Sequence, residues 1–181
     1  MAREGVQDYL AAKRKAATRL GISELRFLPR NLEIKDALAE YQQLFQSVSQ
    51  PQHLRELRET ALNAMRLMER FEPRLVGDVL SGSATRYSNI TLHLFSDIAE
   101  DIPLFLEQEQ IPFQPTKKRL RITQHLYKEY PAFQLTDGEH RVNLVVFPYD
   151  GMRQSPCSPL DGKPMQRANL TAVEEILGVG V

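Results

Sequence analysis

Apolar residues recur along the chain at two different spacings, and the change of spacing divides it in two. Up to about residue 70 the repeat is helical. Tyr9, Leu10, Lys13, Ala16, Ala17 and Leu20 fall at helical spacing in a helix predicted over Val6–Leu20, and Gly21 supplies its stop. A linker, Ile22 to Pro29, follows. Asn31 is placed to cap a second helix, with Ile34, Leu38, Tyr41, Leu44, Phe45 and Val48 as its stripe. Ser49-Gln50-Pro51 breaks that stripe. A third helix is predicted from about Pro51 to Arg70, with Leu54, Leu57, Ala61, Ala64, Met65 and Met68 on one side; the methionines read as core filling. Short connections between three helices predict an antiparallel unit or a cap on what comes next.

After Glu72-Pro73 the period shortens to that of strands. Arg74 to Leu80 is an apolar run with Gly77 inside it, and Ser81 to Ser88 is a small-residue turn. From Asn89 the chain alternates: Ile90, Leu92 and Leu94 face one way, Asn89, Thr91, His93 and Phe95 the other. Ser96 is expected to cap a helix from Asp97 to Glu109, whose early acids suit the helix dipole. Lys117 to Ile122 alternates basic and apolar residues, as a half-exposed strand does. Gln124 to Tyr130 reads as a helical turn. Phe133–Leu135 and Arg141–Phe147 read as a hairpin around Asp137-Gly138. The stretch from Pro148 to Ala168 is rich in Pro, Gly and Ser, a lid, a wrap around a site or a cover for the sheet edge. Leu170 to Leu177 is a short final helix. The expectation is an α/β (α+β) protein: a helical segment over 1–70, then a small mixed sheet with a Pro-rich tail over 71–181.

Composition sets limits on function. The chain has 23 basic and 23 acidic residues in 181, a formal net charge of zero. That balance argues against non-specific binding to nucleic-acid backbone, which needs a basic surplus. Charged side chains run through the N-terminus with no apolar core of a signal peptide, and no apolar run approaches the ~18 residues of a membrane span. The single cysteine, Cys157, permits no intrachain disulfide. A cytoplasmic protein that does not enter membranes is expected. Cys157 has no evident histidine partner, His53, His93, His125 and His140 lack zinc-like spacing, and Gly82-Ser83 is not followed by the Gly-Lys of a phosphate-binding loop. Lys13, Arg14, Lys15 and Arg19 form either a phosphate-binding face or a solvated helix face.

One motif carries chemistry. Val76-Gly77-Asp78 is followed, after ten residues, by Asn89-Ile90-Thr91-Leu92, and Val142-Asn143-Leu144 lies on a later strand. The layout over Phe71 to Phe147 resembles the nucleotidyltransferase superfamily typified by DNA polymerase beta, in which an apolar-Gly-Gly/Ser turn precedes an acid-apolar-acid-apolar strand and a third acid sits on a later strand. More closely, residues Asp8 to Ala17, Leu92-His93-Leu94-Phe95 and Arg153-Gln154-Ser155-Pro156 are similar to an uncharacterised proteobacterial family described as nucleotidyltransferase-like. The resemblance implies a sheet of that topology, and magnesium if the protein is active, because three carboxylates hold two metals in this superfamily. Here Asn89, Thr91 and Asn143 stand in all three acid positions, and Asp78 replaces the residue that would contact phosphate.

Two functions are implied. In the first, the acids are lost and the cleft binds a nucleotide, another phosphate ligand or a partner without two-metal turnover. Gly77, Ser83, Thr85, Arg86, Asn89, Thr91 and Asn143 would line it, with Arg119, Arg121 and Arg141 as further sources of positive charge. In the second, an active transferase moves a nucleoside monophosphate to a protein or small molecule, with Asp78 and His93 in a rebuilt catalytic site. His93 also fits a hydrogen-bonded structural role. A plainer expectation is an interaction module that makes a homo-oligomer through the amphipathic helices of 31–70.

Overall fold

The computed structural model describes residues 9–21, 28–45, 49–85 and 87–178, without the side chains of 39 and 41–50. The start of the first predicted helix, most of the linker, Val48 and Arg86 lie outside the described residues. Among the described residues six α-helices and five strands follow in order: α1 (Tyr9–Leu20), α2 (Asn31–Phe45), α3 (Ser49–Leu67), β1 (Arg74–Val76), α4 (Asp78–Ser81), β2 (Ile90–Phe95), α5 (Asp101–Gln108), β3 (Phe113–Arg121), β4 (Tyr127–Asp137), β5 (His140–Phe147) and α6 (Leu170–Leu177). The strands form one mixed sheet in the order β1-β2-β5-β4-β3, so the fold is α+β. Among the described strands only the β2–β5 pair is parallel.

Each face of the sheet has its own core. Ile90, Leu92 and Leu94 of β2, with Val142, Leu144 and Val146 of β5, turn toward the helices. There they meet Leu57, Ala61, Leu62 and Met65 of α3, Met68 just after it, Ile102 and Leu106 of α5, and Val173 and Leu177 of α6. The methionines are core, and α3 belongs to the same core as the sheet. The opposite face carries a smaller cluster of Phe95, Ala132, Val145 and Phe147, packed against Leu120, Tyr130 and Met152. α1 buries no residue.

Local chemistry accounts for the departures from the sequence expectations. The run 74–80 is not one strand. β1 stops at Val76 because Gly77 adopts φ 78°, ψ −151°, a conformation closed to residues with a Cβ, and Asp78 starts the one-turn α4. Arg58 of α3 donates from Nε to the Val79 carbonyl and from Nη2 to the Leu80 carbonyl, fixing that turn. Asn31 does not cap α2. The Glu33 carboxylate reaches back to the Arg30 N–H, half of a capping box, while Asn31 donates from Nδ2 to the Pro159 carbonyl. α5 starts at Asp101, not Asp97, since Asp97 accepts from the Tyr149 N–H and the Ser96 hydroxyl is held by Ile98. Gln124 to Tyr130 is not helical: β4 begins at Tyr127 and pairs with β3 through Pro131 and beyond. The hairpin at Gly138 is present, with Asp137 opposite His140.

The Pro-rich segment crosses the sheet. At one end the Cys157 N–H donates to the Arg121 carbonyl (2.6 Å) on edge strand β3. At the other, Ala168 exchanges both backbone hydrogen bonds with Leu75 on edge strand β1 (2.8 and 3.0 Å). The ten residues between Cys157 and Ala168 thus link the two edges across the face that carries Phe95 and Phe147, and the polar edge groups of Leu75 and Arg121 are satisfied.

Candidate functional site

The parallel register decides which polar side chains share a face. Thr91 lies opposite Asn143, and His93 opposite Val145, on the face turned away from the helices. The antiparallel partner of Thr91 on β1 is Val76, next to Gly77. On the other side Gln134 of β4 is the partner of Asn143, and Gln114 of β3 that of Gln134. A row of neutral side chains, Thr91, Asn143, Gln134 and Gln114, therefore runs across the sheet beside the Gly77 turn. Thr91, Asn143 and Gln134 are half-buried. Asn89 immediately precedes β2 at the same parity as Thr91 and is also half-buried.

The loop after Gly77 is tied to itself. The Ser81 and Ser83 hydroxyls share a hydrogen bond of 2.9 Å, and the Ser83 hydroxyl reaches an Asp78 carboxylate oxygen at 3.4 Å. Thr85 and Ser88 close the following turn: the Thr85 N–H donates to the Ser88 hydroxyl at 2.9 Å, and the Thr85 hydroxyl accepts from the Tyr87 N–H at 3.2 Å. Asp78 opens to solvent on one side. The protein around it still pushes its carboxyl above the ordinary range, against the Ser83 hydrogen bond and the positive charge of Lys35. Burial and then the charge of Asp78 push the Tyr9 phenol up to about 12. Tyr9 of α1 and Lys35 of α2 thus stand close enough to this loop to share its field.

His93 occupies a different environment. It is 1 % exposed, under the crossing segment. Arg167 donates from Nε to His93 Nδ1 at 3.0 Å and from Nη1 to the Gly151 carbonyl at 2.7 Å. The guanidinium carbon lies 5.0 Å from the ring centres of both Phe95 and Phe147, and the His93 ring is 4.5 Å from Phe147. Burial, then the charge of Arg167, push the imidazole down to about 3. Burial, then Arg74, lower Arg167 to about 10. His93 is a neutral acceptor here, with Nδ1 occupied.

The structure brings Gly77, Asp78 and Ser83 together in one loop, and Thr91 and Asn143 together on the adjoining strands. Thr85 spends its hydroxyl within its own turn. Asp78 and His93 are not brought together. α4 packs on the helix side through Arg58, whereas His93 faces the crossing segment, opposite Arg74, four residues before Asp78. Of the three strand arginines, Arg141 belongs to the Gly138 hairpin, whereas Arg119 and Arg121 lie on edge strand β3. Sequence reasoning missed Tyr9, Lys35, Arg58 and Arg167. Arg58 had a signal, since it interrupts the apolar stripe of α3 one residue after Leu57; Arg167, in a loop, had none.

The donor set does not suit a pair of magnesium ions. Asn89, Thr91 and Asn143 offer neutral oxygens where the metals need charged ones, and among the described residues no three His, Cys, Asp or Glu side chains gather as metal ligands. What the arrangement can do is hydrogen-bond a polar ligand along the Thr91–Asn143 row, with the Gly77 backbone open beside it: an added Cβ there would meet nothing within 4 Å. Comparison with family models, with curated proteins and with solved structures finds no match to this chain.

Proposed function

We propose that this chain is a nucleotidyltransferase-like protein whose cleft binds a nucleotide or another phosphate ligand without two-metal turnover. The observation that carries this reading is the register of Thr91 against Asn143, side by side on one face, next to the Gly77 turn. That is the relative placement the resemblance requires of two of its three acid positions, here filled by groups that hydrogen-bond without charge. A ligand that brings its own negative charge gains nothing from a further carboxylate cluster, and the neutral row accepts it without repulsion. Asp78 is an acid beside the cleft, and the protein around it raises its carboxyl above the ordinary range.

Calorimetric titration with nucleoside triphosphates, with and without magnesium or manganese, tests this reading. Binding that needs no metal and weakens at least about tenfold on Asn143→Ala is expected, because a buried ligand group then lacks its partner. Metal-dependent binding abolished by Asp78→Ala would replace this reading with the rebuilt active site. The triple change Asn89→Asp, Thr91→Asp and Asn143→Asp is expected to create manganese affinity that the parent chain lacks.

A further inference from the structure

The zero net charge of the whole chain conceals a local surplus. Between Lys117 and Tyr130 the β3–β4 hairpin carries five basic side chains, Lys117, Lys118, Arg119, Arg121 and Lys128, against one acid, Glu129. Apart from Leu120 and Tyr130, which pack against the smaller core, this stretch contributes little to either core. Every residue from Gln114 to Arg119 is exposed, as are Thr123 to Glu129. The register places Lys117, Arg119 and Arg121 on one face, since Phe113 begins that face opposite Leu135; Lys117 and Arg119 are exposed, whereas Arg121 is half-buried with its guanidinium beside Gly162. Neighbours along it stand about 6.7 Å apart, two strand residues. Across the ladder from Arg121 is Tyr127, an aromatic that is 49 % exposed, and the Arg119 guanidinium lies over its ring at 4.9 Å. Glu129 neutralises little, its carboxylate being 3.8 Å from Lys117 Nζ with both side chains largely in solvent.

The hairpin is held in place. The Cys157 N–H and thiol donate to the carbonyls of Arg121 and Ile122 at 2.6 and 3.3 Å, and the Ile122 N–H donates to Leu126 across the turn at 2.8 Å. A fixed ribbon with a line of cations and an open, cation-backed ring has the two elements that single-stranded nucleic acid requires: charge along the backbone and a platform for a base. Lysines on an edge strand also discourage sheet-to-sheet pairing. That role needs neither an exposed tyrosine nor an arginine laid over it.

We propose that the β3–β4 ribbon binds single-stranded nucleic acid, with Lys117, Arg119 and Arg121 on phosphates and Tyr127 stacking on a base. This surface is separate from the cleft at Gly77. The test is fluorescence anisotropy of the full chain with labelled single-stranded DNA and RNA of mixed sequence, at 50 and 200 mM salt. Three or four phosphate contacts imply a fall in affinity of about 20- to 50-fold over that range. The double change Lys117→Glu, Arg119→Glu is expected to abolish binding. Tyr127→Ala should weaken it at least about fivefold and Tyr127→Phe restore it. All these side chains are exposed, so circular dichroism should be unchanged. No binding at 50 mM salt would overturn the proposal. So would affinity that survives the ribbon changes but falls on Lys13→Glu, Arg14→Glu in α1, or equal displacement by poly-glutamate, which marks a generic polyanion site.

Discussion

Single residues fix the geometry on both sides of the sheet. Gly77 holds a backbone conformation open essentially to glycine alone, and it has room for a Cβ. Gly77→Ala is therefore expected to cost about 1–3 kcal/mol through backbone strain alone, measurable as a lower urea midpoint with unchanged slope. Arg167 illustrates a different kind of constraint. Its planar guanidinium sits near two phenyl rings while donating to His93 and Gly151, a combination that an ammonium cannot reproduce. Arg167→Lys should lose about 1–3 kcal/mol despite keeping the charge, since at least one buried acceptor is left without a donor. The same unfolding measurement checks it, and a change under 0.5 kcal/mol would count against the role given to the ring contacts.

At the scale of elements, the main lesson concerns α3. Its stripe was legible from Leu54 to Met68, but periodicity cannot say which surface a stripe meets. In the structure Leu57, Ala61, Leu62, Met65 and Met68 fill the same core as Leu92 and Leu144. A fragment beginning at Phe71 would keep α5 and α6 but lose the α3 part of the core on that side of the sheet, and it is expected to remain unfolded by circular dichroism and amide dispersion. Adding residues 49–70 should restore folding. The strands read best where burial differs between faces: β2, β5 and the Gly138 turn were all recognisable. Failures fell where a side chain made a bond the local pattern does not contain, as with Asp97 holding Tyr149 or Asn31 reaching Pro159. The β3–β4 ribbon was half-read because its exposed residues alternate basic with apolar, which marks Lys117–Ile122, whereas Tyr127–Pro131 has no comparable period.

At the scale of the whole molecule, the crossing segment makes stability depend on pH. In the unfolded chain His93 takes up its proton near pH 6.5, whereas in the folded protein it resists to about 3. Between those values the unfolded state binds more protons, so this contribution is complete above pH 6.5 and is lost as pH falls toward 3. The steepest expected loss is about 1.4 kcal/mol per pH unit. Asp78, whose carboxyl is raised, acts in the opposite sense and offsets part of the loss near the carboxylate range. His93→Asn keeps an acceptor for Arg167 without the titration, so urea midpoints measured from pH 7 to 4 should fall less steeply in that variant. Identical slopes would assign the acid sensitivity elsewhere.

By itself the sequence determined the alternation of β2 and β5, the helical stripes and the Gly138 turn, because period and turn chemistry act over a few residues. It also displayed the Asn89, Thr91 and Asn143 positions as a motif. Only the tertiary structure decided that Thr91 and Asn143 are neighbours, since a register between strands some fifty residues apart is fixed by how both faces are buried. The same holds for His93. Its neutrality comes first from burial and then from the charge of an arginine seventy-four residues away, carried over the sheet by a segment whose own composition marked it only as a loop.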